Sequence, residues 1–519
     1  MDTEAETRSG RIRGALRDGI ASFKAVPYGA STAGENRFMP PRPPAPWAGV
    51  RDALAYAGQA PQSRTGFARR AELMNFASPP DTTPETEDCL TLNVWTPGVG
   101  DGARRPVMAW FHGGAFAFGS ANSARLDGTN LARRGDVVVV TVNQRLNILG
   151  FLDLSEVGGA EYAQSGNAGT LDMIAALEWV RDNVAGFGGD PGNVTIFGES
   201  GGGGKVSTLM AMPAARGLFH RAIVQSGAAI RLRTRDRALR LTERVLHELG
   251  LARGGLNELQ RLPIARLLAA VAPAEQALGP SPFPLFDRYP FGPVVDGILV
   301  PRHPFEPDAP DVSADIPLLV GDTKDEATLF LAQDDRVWNG TLTNDEFHAA
   351  LGKVAGAQAD RVAEAYRRLL PDASPAERLV AALTDGNFRI RSLVMAERRA
   401  RRGGAPVWMY SFAFESAAFD GRLKAPHAFD VPFTFDTIDT LPDIDRTSRA
   451  ATLGAAMSGS WAAFAHHGVP DHPALPHWPA YTLGRRPTLV LDAECRIVED
   501  PGAETRALWQ QVAGASTPP

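Results

Sequence analysis

Along the chain, short runs of apolar, β-branched residues alternate with longer stretches in which apolar side chains recur every three or four positions. The short runs are Val107 to Phe111, Val137 to Thr141, Val194 to Phe197, Ala222 to Val224, Pro317 to Val320 and Val407 to Tyr410. Polar residues scarcely interrupt them, which suits strands buried on both faces. Between Leu171 and Val184 the apolar positions are Leu171, Ile174, Ala175, Leu177, Val180 and Val184, the stripe of a helix crossing between two strands. The alternation predicts an α/β protein with a large, mostly parallel central sheet flanked by helices.

Two long stretches break that rhythm. Residues 232 to 316 and 331 to 402 carry helical patterns, as in Leu241 to Leu251 and Ala359 to Leu370, without a comparable series of strands. They are expected to be insertions over one end of the sheet, with residues 60 to 89 completing the same rim. The Pro-rich stretches Met39 to Trp47 and Ser78 to Pro84 are expected to be surface loops. A chain of 519 residues could hold roughly three or four domains of ordinary size. No repeat or linker marks a second unit, however, so one domain spanning residues 1–519 is expected.

Composition narrows the partners. The 53 basic and 59 acidic residues give a net charge of -6, with no basic excess to neutralise phosphates, and this excludes nucleic acid. The opening Met1-Asp2-Thr3-Glu4-Ala5-Glu6 is acidic where a secretory signal is basic. No run approaches the roughly 18 apolar residues that span a bilayer, so a soluble, cytoplasmic chain with no membrane contact is expected. Cys89 and Cys495 are too few for a disulfide framework or a cysteine-rich metal site, and two free thiols are expected.

The chemistry centres on Gly198-Glu199-Ser200-Gly201-Gly202, which follows the strand signal Asn193 to Phe197 and precedes a helical pattern beginning near Val206. Gly-x-Ser-x-Gly between strand and helix makes a tight turn that holds a serine oxygen up into solvent, and the helix N-terminus behind it favours developing negative charge. A glycine-rich loop with Lys205 could instead cradle nucleotide phosphates. The spacing fails: with Gly204-Lys205 as the Gly-Lys pair, Glu199 stands where the first glycine belongs and Val206 where the Ser or Thr belongs. A purely structural glycine turn is the other competing reading.

A nucleophilic serine needs three further parts. Backbone N–H donors for an oxyanion should come from Gly201 and from a glycine turn ending an earlier strand, and Trp110-Phe111-His112-Gly113-Gly114-Ala115-Phe116 fits. An acid and a histidine should follow the serine in that order. Asp322, Asp325 and Glu326 compete for the first role after the run Pro317 to Val320, and spacing does not choose among them. For the second, His348, His427, His466, His467, His472 and His477 are available. His427 stands out because the apolar turn Ala428 to Phe433 behind it could hold a ring in one orientation.

These residues resemble the type-B carboxylesterase and cholinesterase-like family of the α/β-hydrolase fold over nearly the whole chain. Ala25-Val26-Pro27-Tyr28, Arg37-Phe38, Pro40-Pro41, Val294-Val295-Asp296-Gly297 and Trp478-Pro479-Ala480-Tyr481 are similar to its landmarks. Glu87-Asp88-Cys89-Leu90-Thr91-Leu92-Asn93-Val94-Trp95, and Phe187-Gly188-Gly189-Asp190-Pro191 leading to Ser200, are close to its two signatures. The resemblance implies Ser200, Glu326 and His427 as the catalytic triad and Gly114, Ala115 and Gly201 as the oxyanion donors. It further implies hydrolysis of carboxylic esters through an acyl-enzyme, with water as the second substrate and neither metal nor organic cofactor. The family usually has glycine where this chain has Ala115, and alanine where it has Gly201; both keep the N–H. A family disulfide from the position of Cys89 has no partner here, because that neighbourhood reads Gly58-Gln59-Ala60-Pro61-Gln62.

For the substrate, Phe116, Phe283, Leu285, Phe286, Tyr289, Phe291 and Phe330 are candidates for an apolar acyl pocket. The segment from 60 to 89 has no tryptophan and only Phe67 and Phe76 as aromatics, too little for a quaternary-ammonium cage. A neutral aryl or short-chain alkyl ester is expected. Carbamates or amides are the alternative for the same machinery, and a noncatalytic binding module of the family is the other.

Overall fold

The computed structural model describes residues 3–63, 70–77, 79, 81–278, 290–441 and 448–515. Its centre is an 11-stranded sheet. In spatial order the strands are Arg496–Glu499, Pro487–Leu491, Val407–Phe412, Leu318–Thr323, Arg221–Gln225, Gly189–Glu199, Arg105–Phe111, Val138–Val142, Thr91–Thr96, Ile20–Pro27 and Ala15–Arg17. From Pro487–Leu491 to Val138–Val142 neighbours run parallel. The flanking pairs are antiparallel. All six strands expected from the apolar runs lie in the parallel part, and Val138–Val142 and Leu318–Thr323 are buried at every position.

Alternate residues of each strand feed two separate cores, as a period of two requires. Val107, Ala109 and Phe111 pack with Met173, Leu177 and Val180 of the helix Ala168–Asn183. Met108 and Trp110 face the other way, toward Leu453, Met457, Trp461 and Phe464 of the helix Ser448–His467. The strand Thr91–Thr96 escapes an apolar-run reading because Asn93 interrupts it. Asn93 is nonetheless buried, and its amide is satisfied across the sheet by Thr141 Oγ1 at 3.0 Å and the Ala25 N–H at 2.9 Å.

The helices within 232 to 316, Arg235–Leu249, Leu256–Arg261, Ile264–Ala269 and Val271–Leu278, share one apolar cluster with Phe38, Phe116, Ile148 and Phe151. Those within 331 to 402 divide into two groups. Asn344–Ala355, Ala359–Leu369 and Pro375–Thr384 build a cluster of their own. Ile390–Arg402 instead sends Leu393, Met395 and Ala396 into the sheet core. It is the crossover between the parallel neighbours Leu318–Thr323 and Val407–Phe412, a connection that a parallel pair cannot do without.

One buried ion pair locks the sheet to a helix. Asp172 accepts from Arg145 Nε at 2.8 Å, Nη2 at 2.6 Å and the Arg145 backbone N–H at 3.0 Å, with both side chains essentially inaccessible. Asp172→Ala leaves the guanidinium buried and uncompensated. We expect urea unfolding to show a loss of about 3–5 kcal/mol; a loss below ~1 kcal/mol, the worth of an exposed pair, would refute the account.

Candidate active site

In a parallel sheet all carboxyl ends lie along one edge, and the loops that follow converge there. Phe111 pairs with Gly198, and Gln225 pairs with both Glu199 and Gly321. The residues just beyond these ends, 112 to 116, 200 and 322 to 326, therefore meet above the sheet.

Ser200 sits at φ 56° and ψ -122°, a conformation that costs a non-glycine residue on the order of 1–3 kcal/mol. Its N–H donates to the Gln225 carbonyl at 2.8 Å, and its carbonyl accepts from the Gly204 N–H at 3.0 Å. The helix behind it spans Gly201–Met210 and so begins at once, not near Val206. Glycine's low helix propensity hides that start in the sequence. Close approach demands it: a Cβ on Gly202 would lie 1.9 Å from the Phe111 carbonyl oxygen.

Facing Ser200 is the loop that leaves Phe111. Gly114 and Ala115 both have left-handed backbones, at φ 84° and 55°. Among the described residues, no acceptor is found for either N–H. A Cβ on Gly201 would lie 2.1 Å from the Ala115 carbonyl oxygen and 2.4 Å from its nitrogen. The glycine after the serine and the alanine in the loop are thus coupled: the loop approaches the helix as closely as a glycine at 201 permits.

His427 follows the strand Val407–Phe412 at a distance along the chain, and its Nδ1 lies 2.5 Å from Oε2 of Glu326. The other oxygen of Glu326, a fully buried side chain, accepts from the Thr323 N–H at 2.8 Å. The imidazole packs against both Phe330 and Phe388, 5.0 Å from each ring centroid, and these two rings stack on each other. Phe388 reaches it from a π-helical turn, Asp385–Arg389, where widening by one residue redirects the side chain. Of the competing acids, Asp322 is engaged by Arg389 Nε at 3.2 Å, and Asp325 accepts from the Ala425 N–H at 3.3 Å. Of the competing histidines, His348 sits with Asp360, His477 with Asp471 and His466 with the Gly135 carbonyl.

Glu199, next to the serine, was not singled out by sequence. Its Oε1 lies 3.2 Å from Nε2 of His427, so the imidazole has a carboxylate at each nitrogen. Burial pulls the His427 pKa down, but Glu199 and Glu326 outweigh it and raise the value above the usual histidine range. Burial likewise pushes the Glu199 carboxyl well up, with His427 opposing. The two groups lie close enough to titrate as a pair.

Ser200, His427, Gly114, Ala115 and Gly201 line a single cavity of about 190 Å³. Phe116 and Phe330 lie on its wall. Phe291 does not: it is buried in the cluster beneath the 232 to 316 helices, because apolar bulk there is used for packing. Phe283, Leu285, Phe286 and Tyr289 lie outside the described residues. Phe118, Phe388, Arg231, Arg233 and Arg391 also line the cavity and carry no local signal in the sequence. Arg231 Nε donates to Glu306 at 2.6 Å, and Arg233 Nε to the Pro290 carbonyl at 2.6 Å. Phe76 stacks on Phe429 with ring centroids 5.7 Å apart, so it is core and not part of a cation cage.

Cys89 is a buried free thiol. The nearby rim is tied by amides: Gln62 accepts from the Gly119 N–H at 2.8 Å and donates to its carbonyl at 3.2 Å, while Gln59 donates to the Thr83 carbonyl at 2.9 Å. Among the described residues, no group of three or more His, Cys, Asp or Glu side chains is placed to hold a metal ion. No helix among them is long and apolar enough to cross a membrane.

A mostly parallel sheet with a serine at the sharp turn between strand and helix defines the α/β-hydrolase class, and solved structures of esterases share this fold. The family model described as the Carboxylesterase family matches residues 1–509, and the chain belongs to that family. It is 37% identical over 503 residues to the para-nitrobenzyl esterase of Bacillus subtilis (strain 168), covering 96% of this chain and 97% of that protein. It is 34% identical over 510 residues to the phenmedipham hydrolase of Pseudarthrobacter oxydans, covering 96% of each. A carboxylesterase structure from Geobacillus stearothermophilus aligns with a TM-score of 0.84 at 38% identity, covering 98% of this chain and 100% of that one. The chain is a carboxylic ester hydrolase.

Proposed function

We propose that Ser200, His427 and Glu326 form the catalytic triad of this esterase and that it works through an acyl-enzyme. The observation that carries this reading is the buried 2.5 Å contact between His427 Nδ1 and Glu326, with His427 and Ser200 lining one cavity. His427 takes the proton of Ser200 as the oxygen attacks the ester carbonyl, and Glu326 fixes the imidazole tautomer and stabilises the imidazolium. The carbonyl electrons move onto oxygen, which the N–H groups of Gly114, Ala115 and Gly201 receive. His427 then returns the proton to the departing alcohol. Water repeats the sequence on the acyl-enzyme and releases the acid. Labelling with a fluorophosphonate tests the assignment: Ser200 should be modified stoichiometrically, and an unreactive pure protein would count for the noncatalytic binding module instead.

The substrate proposed is a neutral aryl or short-chain alkyl ester. The cavity is small and walled by Phe116, Phe118, Phe330 and Phe388, and the guanidinium groups of Arg231, Arg233 and Arg391 on the same wall disfavour a cationic ligand. The relative from Bacillus subtilis is named for a para-nitrobenzyl ester. A panel of matched esters, carbamates and amides decides the leaving-group class; faster turnover of a carbamate or amide would overturn the ester preference. We place the enzyme in the cytoplasm as a single domain, a reading supported by two free cysteines, one fully buried, that suit a reducing compartment.

The two-carboxylate setting of His427 has a kinetic consequence. Catalysis needs the neutral imidazole, so kcat/KM should rise with pH through the raised His427 pKa. Glu199→Gln removes one of the two charges that favour the imidazolium. The rising limb should then move to lower pH, and a limb that stayed in place would show that Glu199 does not govern the proton on His427.

A further inference from the structure

We propose that Lys205 is a positioning residue that fastens the oxyanion loop to the helix of the nucleophile, thereby setting the distance between the two halves of the oxyanion hole. The proposal rests on the reading of Gly114, Ala115 and Gly201 as the oxyanion donors.

Lys205 lies in the helix Gly201–Met210 and is completely buried. Its Nζ donates to the His112 carbonyl at 2.7 Å. With the Gln144 amide oriented so that its nitrogen donates to the Val142 carbonyl at 3.2 Å, the Gln144 oxygen accepts from the same Nζ at 3.1 Å. The Nζ also stands 5.8 Å from the centroid of the Phe116 ring. Among the described residues no carboxylate pairs with it. Burial alone lowers its pKa to about 7. A methionine would fill the same volume without the cost of burying an amine, so its expense has to be offset by what the nitrogen holds.

What it holds is the base of the loop. Residues four apart share one face of a helix, so Lys205 lies one turn below Gly201. His112 opens the peptide run that leads to Gly114 and Ala115. One hydrogen bond therefore joins the element carrying the first donor to the element carrying the other two. Those N–H groups must converge on a single oxygen, where misplacement by a fraction of an ångström matters. The loop is also held by the Ala117 and Phe118 N–H groups on the Gly114 carbonyl, at 3.1 Å each, and by the Asn147 N–H on the Phe116 carbonyl at 2.6 Å, but none of these bonds reaches the helix of the nucleophile. The missing Cβ at Gly201 lets the loop close in, and Lys205 keeps it there.

The test compares the full-length parent with Lys205→Met and Lys205→Gln. For each, kcat and KM are measured on p-nitrophenyl acetate, together with the inhibition constant of an aryl trifluoromethyl ketone. Ser200 Oγ bonds to the ketone carbon, its proton passes to His427, and the carbonyl oxygen becomes the charged oxygen in the hole. Loss of the tether should lower kcat roughly 10- to 100-fold and weaken the ketone by the same factor, with KM within about two-fold of the parent. A merely structural role would lower thermal stability and leave both readouts alone. Folded Lys205→Met with parental kcat, or with reduced kcat and undiminished ketone affinity, overturns the proposal. If Lys205→Met does not fold, Lys205→Gln, too short to span to His112, carries the same criteria. Ser200→Ala separates the two readings: parental activity there removes the oxyanion assignment itself, whereas an inactive Ser200→Ala beside a fully active Lys205→Met removes only the role of Lys205.

Discussion

Ser200→Ala should lower kcat/KM for p-nitrophenyl acetate by roughly four to six orders of magnitude, with the fold intact. The size follows from what is lost. Without Oγ no acyl-enzyme can form, and the residual rate comes from water attacking an ester that the oxyanion donors still polarise. The fold should survive because the strain at this position is a property of the backbone. Alanine has the same Cβ as serine, and the hydrogen bonds that hold φ 56°, from the Ser200 N–H to Gln225 and from the Gly204 N–H to the Ser200 carbonyl, are main-chain bonds. Circular dichroism and the thermal midpoint should therefore match the parent while turnover collapses. Parental turnover in a folded Ser200→Ala would falsify the nucleophile assignment.

Glu326→Gln is the second large effect, a fall in kcat of about 10⁴ with KM nearly unchanged. The carboxylate has two partners, the Thr323 N–H on Oε1 and His427 Nδ1 on Oε2, and both need an acceptor. A glutamine offers one acceptor and one donor. With its oxygen kept on Thr323, its NH₂ faces Nδ1 and drives the imidazole proton onto Nε2, the atom that must receive the proton of Ser200. The ground-state cavity is unaltered, which is why binding should be spared. A fall of less than about ten-fold would mean that Glu326 orients the ring without controlling its proton, and that Glu199, 3.2 Å from the other nitrogen, does more of the work.

The apolar runs identified the strands because burial on both faces leaves no room for polar alternation. That physical cause made Val107 to Phe111 and its companions legible without any tertiary knowledge. The start of the helix behind Ser200 was illegible for the opposite reason. Gly201 to Gly204 have poor intrinsic helix propensity, and only the contacts of Gly201 with the loop at Ala115 and of Gly202 with the strand end at Phe111 make glycine obligatory at those two positions. The pocket shows the same division. Phe116 and Phe330 are adjacent in sequence to Ala115 and near Glu326, so the motifs that located the chemistry located them as well. Phe388 and the arginines of the wall come from distant elements, and nothing in their own neighbourhoods marks them.

Local patterns and motifs read in order are enough for the class of fold, the family and the candidates Ser200, Glu326, His427, Gly114, Ala115 and Gly201. Spacing alone left three carboxylates and several histidines in competition, and a resemblance between chains had to choose. Which groups touch was a matter for the folded chain. It put Glu326 on Nδ1 of His427, placed Glu199 at Nε2, packed Phe330 and Phe388 against the ring and buried Lys205 beneath the loop of His112. The reason is physical: pairing a charge across more than a hundred residues of chain depends on how parallel strands align their carboxyl ends, and that register is set by the packing of the whole sheet, not by the residues that perform the chemistry.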